Sequence, residues 1–128
     1  METIKIIVIT PDPLDEVFVF RELAKCFNPQ GEVFLINSKN ESSQALKSCL
    51  DKRDIDVIVL DTNHPYFLIL TQKIKKNYPE IILGCFSSTP LAISGRSKEW
   101  QECFSFTFDT NQEVNLLQRM IIKALYPV

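Results

Sequence analysis

The chain has a single histidine in 128 residues, His64, which removes His-based catalytic pairs and multi-histidine metal sites from consideration. His64 reads as a structural loop residue. Its four cysteines, Cys26, Cys49, Cys85 and Cys103, lie far apart, with no C-x-x-C pair and no histidine beside them. Neither zinc nor a disulfide framework is signalled, and the expectation is four reduced, mostly core thiols. Cationic excess is missing as well: fourteen Lys and Arg scattered among sixteen Asp and Glu leave a formal charge of −2. That excludes the basic footprint of direct nucleic-acid binding and the cluster that would engage anionic lipid. No apolar run approaches the ~18 residues of a membrane span. The N-terminus also lacks a basic n-region, so a cytoplasmic location is expected.

What is present is 45% apolar content, enough for one compact domain over residues 1–128 around a single core. Apolar runs of strand length alternate with helical patterns, the signature of βαβ units around a parallel sheet. Ile4 to Ile9 is the first strand, nearly all apolar as suits a strand covered on both faces. Asp12 and Pro13 open a helix with Asp15 and Glu16 in its first turn, where they complement the dipole. Val17, Phe20, Ala24 and Phe27 give that helix its buried stripe.

Val33 to Ile36 is the second strand, after a turn closed by Gly31, and Asn40 or Ser42 caps the next helix, with Ala45, Leu46, Cys49 and Leu50 as its stripe. Residues 56–60 form the third strand. Phe67 to Asn77 follows as a helix with Phe67, Leu70, Ile74 and Tyr78 on one face, and Ile81 to Phe86 is the fourth strand. Ser94, Gly95 and Ser97 interrupt the helix between Leu91 and Gln101. Cys103 to Phe108 alternates Phe104, Phe106 and Phe108 with smaller residues, the pattern of an edge strand. Thr110 or Asn111 then caps a last helix to about Leu125. Short right-handed crossovers make an α/β fold, a doubly wound five-stranded parallel sheet of order 2-1-3-4-5, the economical solution. Its carboxyl edge collects Asp12, Asp61, Ser87 and Asp109, and ligands are expected there.

The most pointed feature is Asp56-Val57-Ile58-Val59-Leu60-Asp61, an apolar run that delivers a carboxylate to a strand tip, with Pro65 four residues on. With "KIIVITPDPL", "YPEIILGCFSS" and "FDTNQEVNLL", this segment resembles the receiver domain of bacterial two-component response regulators along essentially the whole chain. The resemblance implies a flavodoxin-like (βα)5 fold, with Asp61 as candidate phospho-acceptor and Ser87 as the hydroxyl that contacts the phosphoryl group. It also implies a Mg²⁺ site, for which Asp12 and Asp61 are the only carboxylates on offer. The family's adjacent acidic pair after strand one aligns with Thr10 and Pro11. Its strand-five lysine falls near Phe106 and Thr107, and no lysine occurs between Lys98 and Lys123.

Those departures matter because phosphoryl transfer to a carboxylate brings two anions together and rests on cations that neutralise the equatorial oxygens. Losing one such contact costs on the order of 3 kcal/mol, roughly 10²-fold in rate. Arg96 or Lys98 reaching over from the irregular segment would be the replacement cation. The expectation is therefore a degenerate or pseudo-receiver: no enzyme, no cofactor beyond a weakened Mg²⁺ site, and action through a protein partner such as a histidine kinase or an output regulator. Leu116 and Met120 widen the apolar surface of the last helix. With Phe104 and Phe106 they mark a candidate interaction surface, and the resemblance places a homodimer contact on the face made by helix four, strand five and helix five. Two alternatives stand beside this one: a working receiver phosphorylated on Asp61, and a flavodoxin-like small-molecule binder. Against the last, the turn Thr10-Pro11-Asp12-Pro13 contains two prolines that offer no backbone N–H to a phosphate.

Overall fold

The computed structural model describes residues 3–11, 16–37, 43–52, 54–87 and 96–127. Five parallel strands, β1 (Ile4–Thr10), β2 (Gly31–Asn37), β3 (Val57–Asp61), β4 (Ile82–Ser87) and β5 (Phe106–Asp109), form one sheet in the order β2-β1-β3-β4-β5. This is the doubly wound order expected from the alternation. The helices are α1 (Arg21–Phe27), led in by a π-helical turn at Glu16–Phe20, then α2 (Ser43–Lys52), α3 (Phe67–Asn77), α4 (Lys98–Glu102) and α5 (Val114–Leu125). No helix among the described residues is long and apolar enough to cross a membrane.

The period of two along the strands divides the core. Ile6, Val8, Val57, Val59, Phe86, Phe106 and Phe108 face one side, where Leu23 and Phe27 of α1 and Val114, Leu117 and Ile121 of α5 cover them. Ile7, Ile9, Ile58, Leu60, Leu83 and Cys85 face the other, beneath Leu46 of α2 and Phe67, Leu70 and Ile74 of α3. Every residue of β3 is buried, which is why that strand reads as an unbroken apolar run and why it carries its terminal aspartate into the interior. At the opposite end, Asp56 accepts a hydrogen bond from Lys5 N at 2.9 Å and ties β3 to β1.

Several expectations need correction. The stripe of the first helix is Val19, Leu23 and Phe27, while Phe20 and Ala24 are only partly buried. A π-helical turn precedes α1, and the buried residues recur at i, i+4 and i+8, an ordinary helical spacing. Asp12, Pro13 and Asp15, like Asn40, Ser42 and the Ser88-Thr89-Pro90 segment, lie outside the described residues. β2 starts at Gly31 and runs seven residues, longer than its apolar centre. The last helix begins at Val114 after Glu113, with no side-chain cap, because Asp109 Oδ1 takes the Asn111 N–H at 2.9 Å and holds residues 110–112 in a turn.

Phe104 precedes β5 and packs with Phe67 and Trp100, on the opposite face from Phe106 and Phe108. Phe104 and Phe106 are both 7% exposed, so they are core residues and not the interaction surface anticipated for them. Leu116 and Met120 are partly buried and pack against the same core, leaving Ile122 as the exposed apolar residue of α5. Of the thiols, only Cys85 is buried; Cys26 and Cys49 are half-buried and Cys103 is exposed, against the expectation of mostly core cysteines.

Gly84 in β4 lies in register with Phe106, whose ring carbons come within 2.2 Å of where a Cβ on Gly84 would sit. The ring occupies the space a side chain would need. Gly84→Ala should therefore destabilise the fold by about 1–3 kcal/mol in urea titration followed by Trp100 fluorescence. Combining it with Phe106→Ala should cost less than the sum of the two changes; an unchanged midpoint for Gly84→Ala would contradict this packing.

Candidate functional site

β1 and β3 lie side by side with Ile9 opposite Leu60, so Thr10 and Asp61 emerge together at the carboxyl edge. Both are 0% exposed. A carboxylate withdrawn from water this completely must find hydrogen-bond donors or become very costly. Thr10 Oγ1 donates to Asp61 Oδ2 at 2.7 Å, and Asn63 N donates to Oδ1 at 2.9 Å. The first bond spans two strands; the second is an Asx turn within the loop that follows β3.

That loop is ordered by its own backbone. Thr62 N donates to Phe86 O at 3.0 Å, His64 N to Asp61 O at 3.1 Å, and Phe67 N to His64 O at 3.0 Å, which delivers the chain to the start of α3. His64 is buried at 3% exposure, and its Nδ1 accepts the Tyr66 N–H at 3.0 Å. An imidazole that accepts at Nδ1 carries its proton on Nε2. The ring thus shapes the turn between Asp61 and α3, the structural part its sequence position suggested.

Ser87 ends β4 at 1% exposure, one step beyond Phe86, which pairs with Asp61. The next strand brings Asp109 into register with Ser87. The end of β5 is therefore two residues later than Thr107. Phe106 and Thr107, near which the receiver resemblance calls for a lysine, lie within β5, and the strand ends on an acid. Asp109 is held by its own turn, accepting from Asn111 N. The two candidate replacement cations are engaged elsewhere: the Arg96 guanidinium lies 5.2 Å from the centre of the Trp100 ring, and Lys98 pairs with Glu102 at 4.0 Å. On α3, Lys75 donates to the Cys103 carbonyl.

Thr10 is the residue that sequence reasoning passed over. Its alignment with an acid of the family does not mark it as a donor to Asp61; the strand register brings the two together. Asn37, at the tip of β2, is a second such residue, with Nδ2 donating to Thr10 O at 3.0 Å. Asp12 lies outside the described residues. Among those described, no cluster of three or more His, Cys, Asp or Glu side chains could hold a metal. Cys85, opposite Leu60, offers no nucleophile: burial pushes its thiol up to about 12 and keeps it protonated.

No protein-family model and no curated protein matches the sequence. Solved structures match along nearly the whole chain. A sensor protein from Polaromonas sp. JS666 superposes with a TM-score of 0.74 at 16% identity, covering 96% of this chain and 96% of its own. A response regulator receiver domain protein from Clostridium thermocellum gives 0.73 at 18% identity, covering 94% and 93%. The RcsB response regulator of Salmonella typhimurium, described for its conformational dynamism in DNA interaction, gives 0.70 at 18% identity over 95% of this chain, which spans 60% of RcsB. The fold is that of response regulator receiver domains.

If the Thr10 hydroxyl is what keeps Asp61 satisfied, Thr10→Val, equal in shape but without the donor, should lower stability by about 1–3 kcal/mol in chemical denaturation. Thr10→Ser should retain most of it. A Thr10→Val chain as stable as the natural one would show the bond to be incidental.

Proposed function

We propose that the chain is a regulatory module of the two-component type, cytoplasmic, that acts by engaging a protein partner and performs no phosphoryl chemistry of its own. The observation that carries this reading is the Thr10 Oγ1 to Asp61 Oδ2 hydrogen bond at 2.7 Å between two fully buried residues. Phosphorylation of a carboxylate needs one free, nucleophilic oxygen and a cation to bring in the donor. Here the Thr10 hydroxyl and the Asn63 amide each donate to one Asp61 oxygen and draw electron density from the carboxylate that would have to attack. Asp109, an acid, stands at the end of β5. The retained features, Asp61 and Ser87, then serve the fold: the aspartate clamps β1 to β3 and sets the turn into α3.

Partners of the kinase or output-regulator class fit such a module, since the fold it shares with the matched receivers is used between signalling proteins. A Mg²⁺ requirement is not part of this reading. The competing possibility, a working receiver, draws on the buried Ser87 hydroxyl one strand away from Asp61.

The two separate in one experiment. The full chain is incubated with Mg²⁺ and a generous excess of acetyl phosphate, and its intact mass is measured. No adduct is expected. Addition of a single phosphate that disappears in Asp61→Asn would overturn the proposal and establish the working receiver.

A further inference from the structure

α3 is apolar on two sides. Phe67, Leu70 and Ile74 face the sheet, as a helix that covers a core requires. Leu68 and Ile69 stand on the opposite side, 62% and 44% exposed. A lone exposed leucine is ordinary, but two large apolar side chains in one outward turn are more than the fold uses. α2, in the same layer, turns Gln44, Lys47, Ser48 and Asp51 outward instead.

Seven residues further along, Lys75 and Lys76 occupy the same outward side, since positions one heptad apart on a helix nearly eclipse each other. The face runs from two apolar side chains to two cations over about 10 Å, with the exposed Gln72 between them. α3 itself contains no acid. Lys75 donates to the Cys103 carbonyl, a neutral acceptor that leaves its charge in place, and neither lysine is ion-paired among the described residues. Lysines in a last turn complement the helix dipole, which accounts for the cations but not for the apolar turn ahead of them.

We propose that this face of α3 docks an amphipathic helix of a partner protein, antiparallel to α3, with acids in its first turn on Lys75 and Lys76 and apolar residues two turns later on Leu68 and Ile69. The direction follows from electrostatics: carboxylates stabilise the start of their own helix, and only an antiparallel helix brings its start to the lysines that end α3. Apolar contact supplies the affinity, and the charges set direction and exclude basic sequences. A second copy of this chain fits poorly. Two α3 helices packed antiparallel about a two-fold axis would lay Leu68 and Ile69 of each on the lysines of the other, and parallel packing would set lysine against lysine. An anionic membrane fits poorly as well, because its attraction needs a cluster of about four or more cations, and the chain carries a formal charge of −2.

The inference takes from the proposed function only that a protein partner is engaged, and it does not depend on the state of Asp61. The probe is an acetylated and amidated peptide, Ser-Glu-Glu-Ala-Ala-Gln-Ala-Ala-Leu-Leu-Ala-Gln-Ala-Ala-Gln, whose Glu and Leu pairs lie one heptad apart. It is titrated to millimolar concentration into the full chain, without Mg²⁺ or phosphodonor, while the backbone amide resonances are followed. Saturable shifts centred on residues 66–77 are expected. The Lys-for-Glu peptide should bind about tenfold more weakly, and Lys75→Glu with Lys76→Glu should invert that preference. Leu68→Gln with Ile69→Gln, two exposed positions, should leave the urea midpoint in place and remove binding of either peptide. Absence of saturable shifts, equal affinity for the Glu and Lys peptides, or undiminished binding by the Leu68→Gln, Ile69→Gln chain would overturn the proposal. So would a concentration-dependent dimer, or binding to phosphatidylserine vesicles, that the same double change removes; the face would then belong to a second copy or to a membrane. Failure here leaves the mass measurement with acetyl phosphate untouched, and a phosphate adduct there leaves this docking face standing.

Discussion

A hydroxyl on β1 and a carboxylate on β3 meet in the interior of this protein, and the carboxyl edge of the sheet is arranged around their contact. Asp61 is carried inward by a strand with no exposed residue, and it would be a serious liability there without donors. Thr10 and Asn63 provide them. The same aspartate supplies its backbone carbonyl to His64, and His64 in turn orients Tyr66 and the first residue of α3. One residue thus links the central strand pair, the following loop and the start of a helix.

In receivers that accept a phosphoryl group, the corresponding corner has to hold negative charge from several directions and neutralise it with cations. On the proposed reading, this chain has relaxed that demand. Neutral Thr10 and Pro11 stand where the resemblance asks for acids, and Phe106 and Thr107 stand where it asks for a lysine. The proposed function accounts for both: a site that gathers no divalent cation and no phosphate has no use for either set of charges. A fold that keeps the architecture while discarding the catalytic electrostatics can still present helices, strand edges and grooves to other proteins.

The sheet order and the bounds of α3 were legible in the sequence because they depend on the strongest local signals, unbroken apolar runs and a helical stripe from Phe67 to Ile74. Asp61 and Ser87 were legible because strand ends announce themselves where apolar runs stop. What escaped was register. The buried stripe of the first helix is Val19, Leu23 and Phe27 and not Phe20 and Ala24, and both sets fit a helical spacing, so periodicity alone does not choose between them. Phe104 alternates correctly with Phe106 and Phe108, yet it precedes the strand and packs on the other face with Trp100. Asp109 formed its own turn and displaced the helix start from Thr110 or Asn111 to Val114. The Thr10–Asp61 bond is a long-range contact, fixed by which residues the two strands place side by side, and a single segment of sequence does not contain it.

The most direct measurement is a Mg²⁺ titration of the natural chain observed in the backbone amide resonances of Thr10, Asp61 and Asn63. With the Asp61 oxygens already held by Thr10 and Asn63, these resonances should stay in place as Mg²⁺ is raised through the millimolar range. A saturable shift of all three, marking displacement of the Thr10 hydroxyl by the cation, would contradict the account.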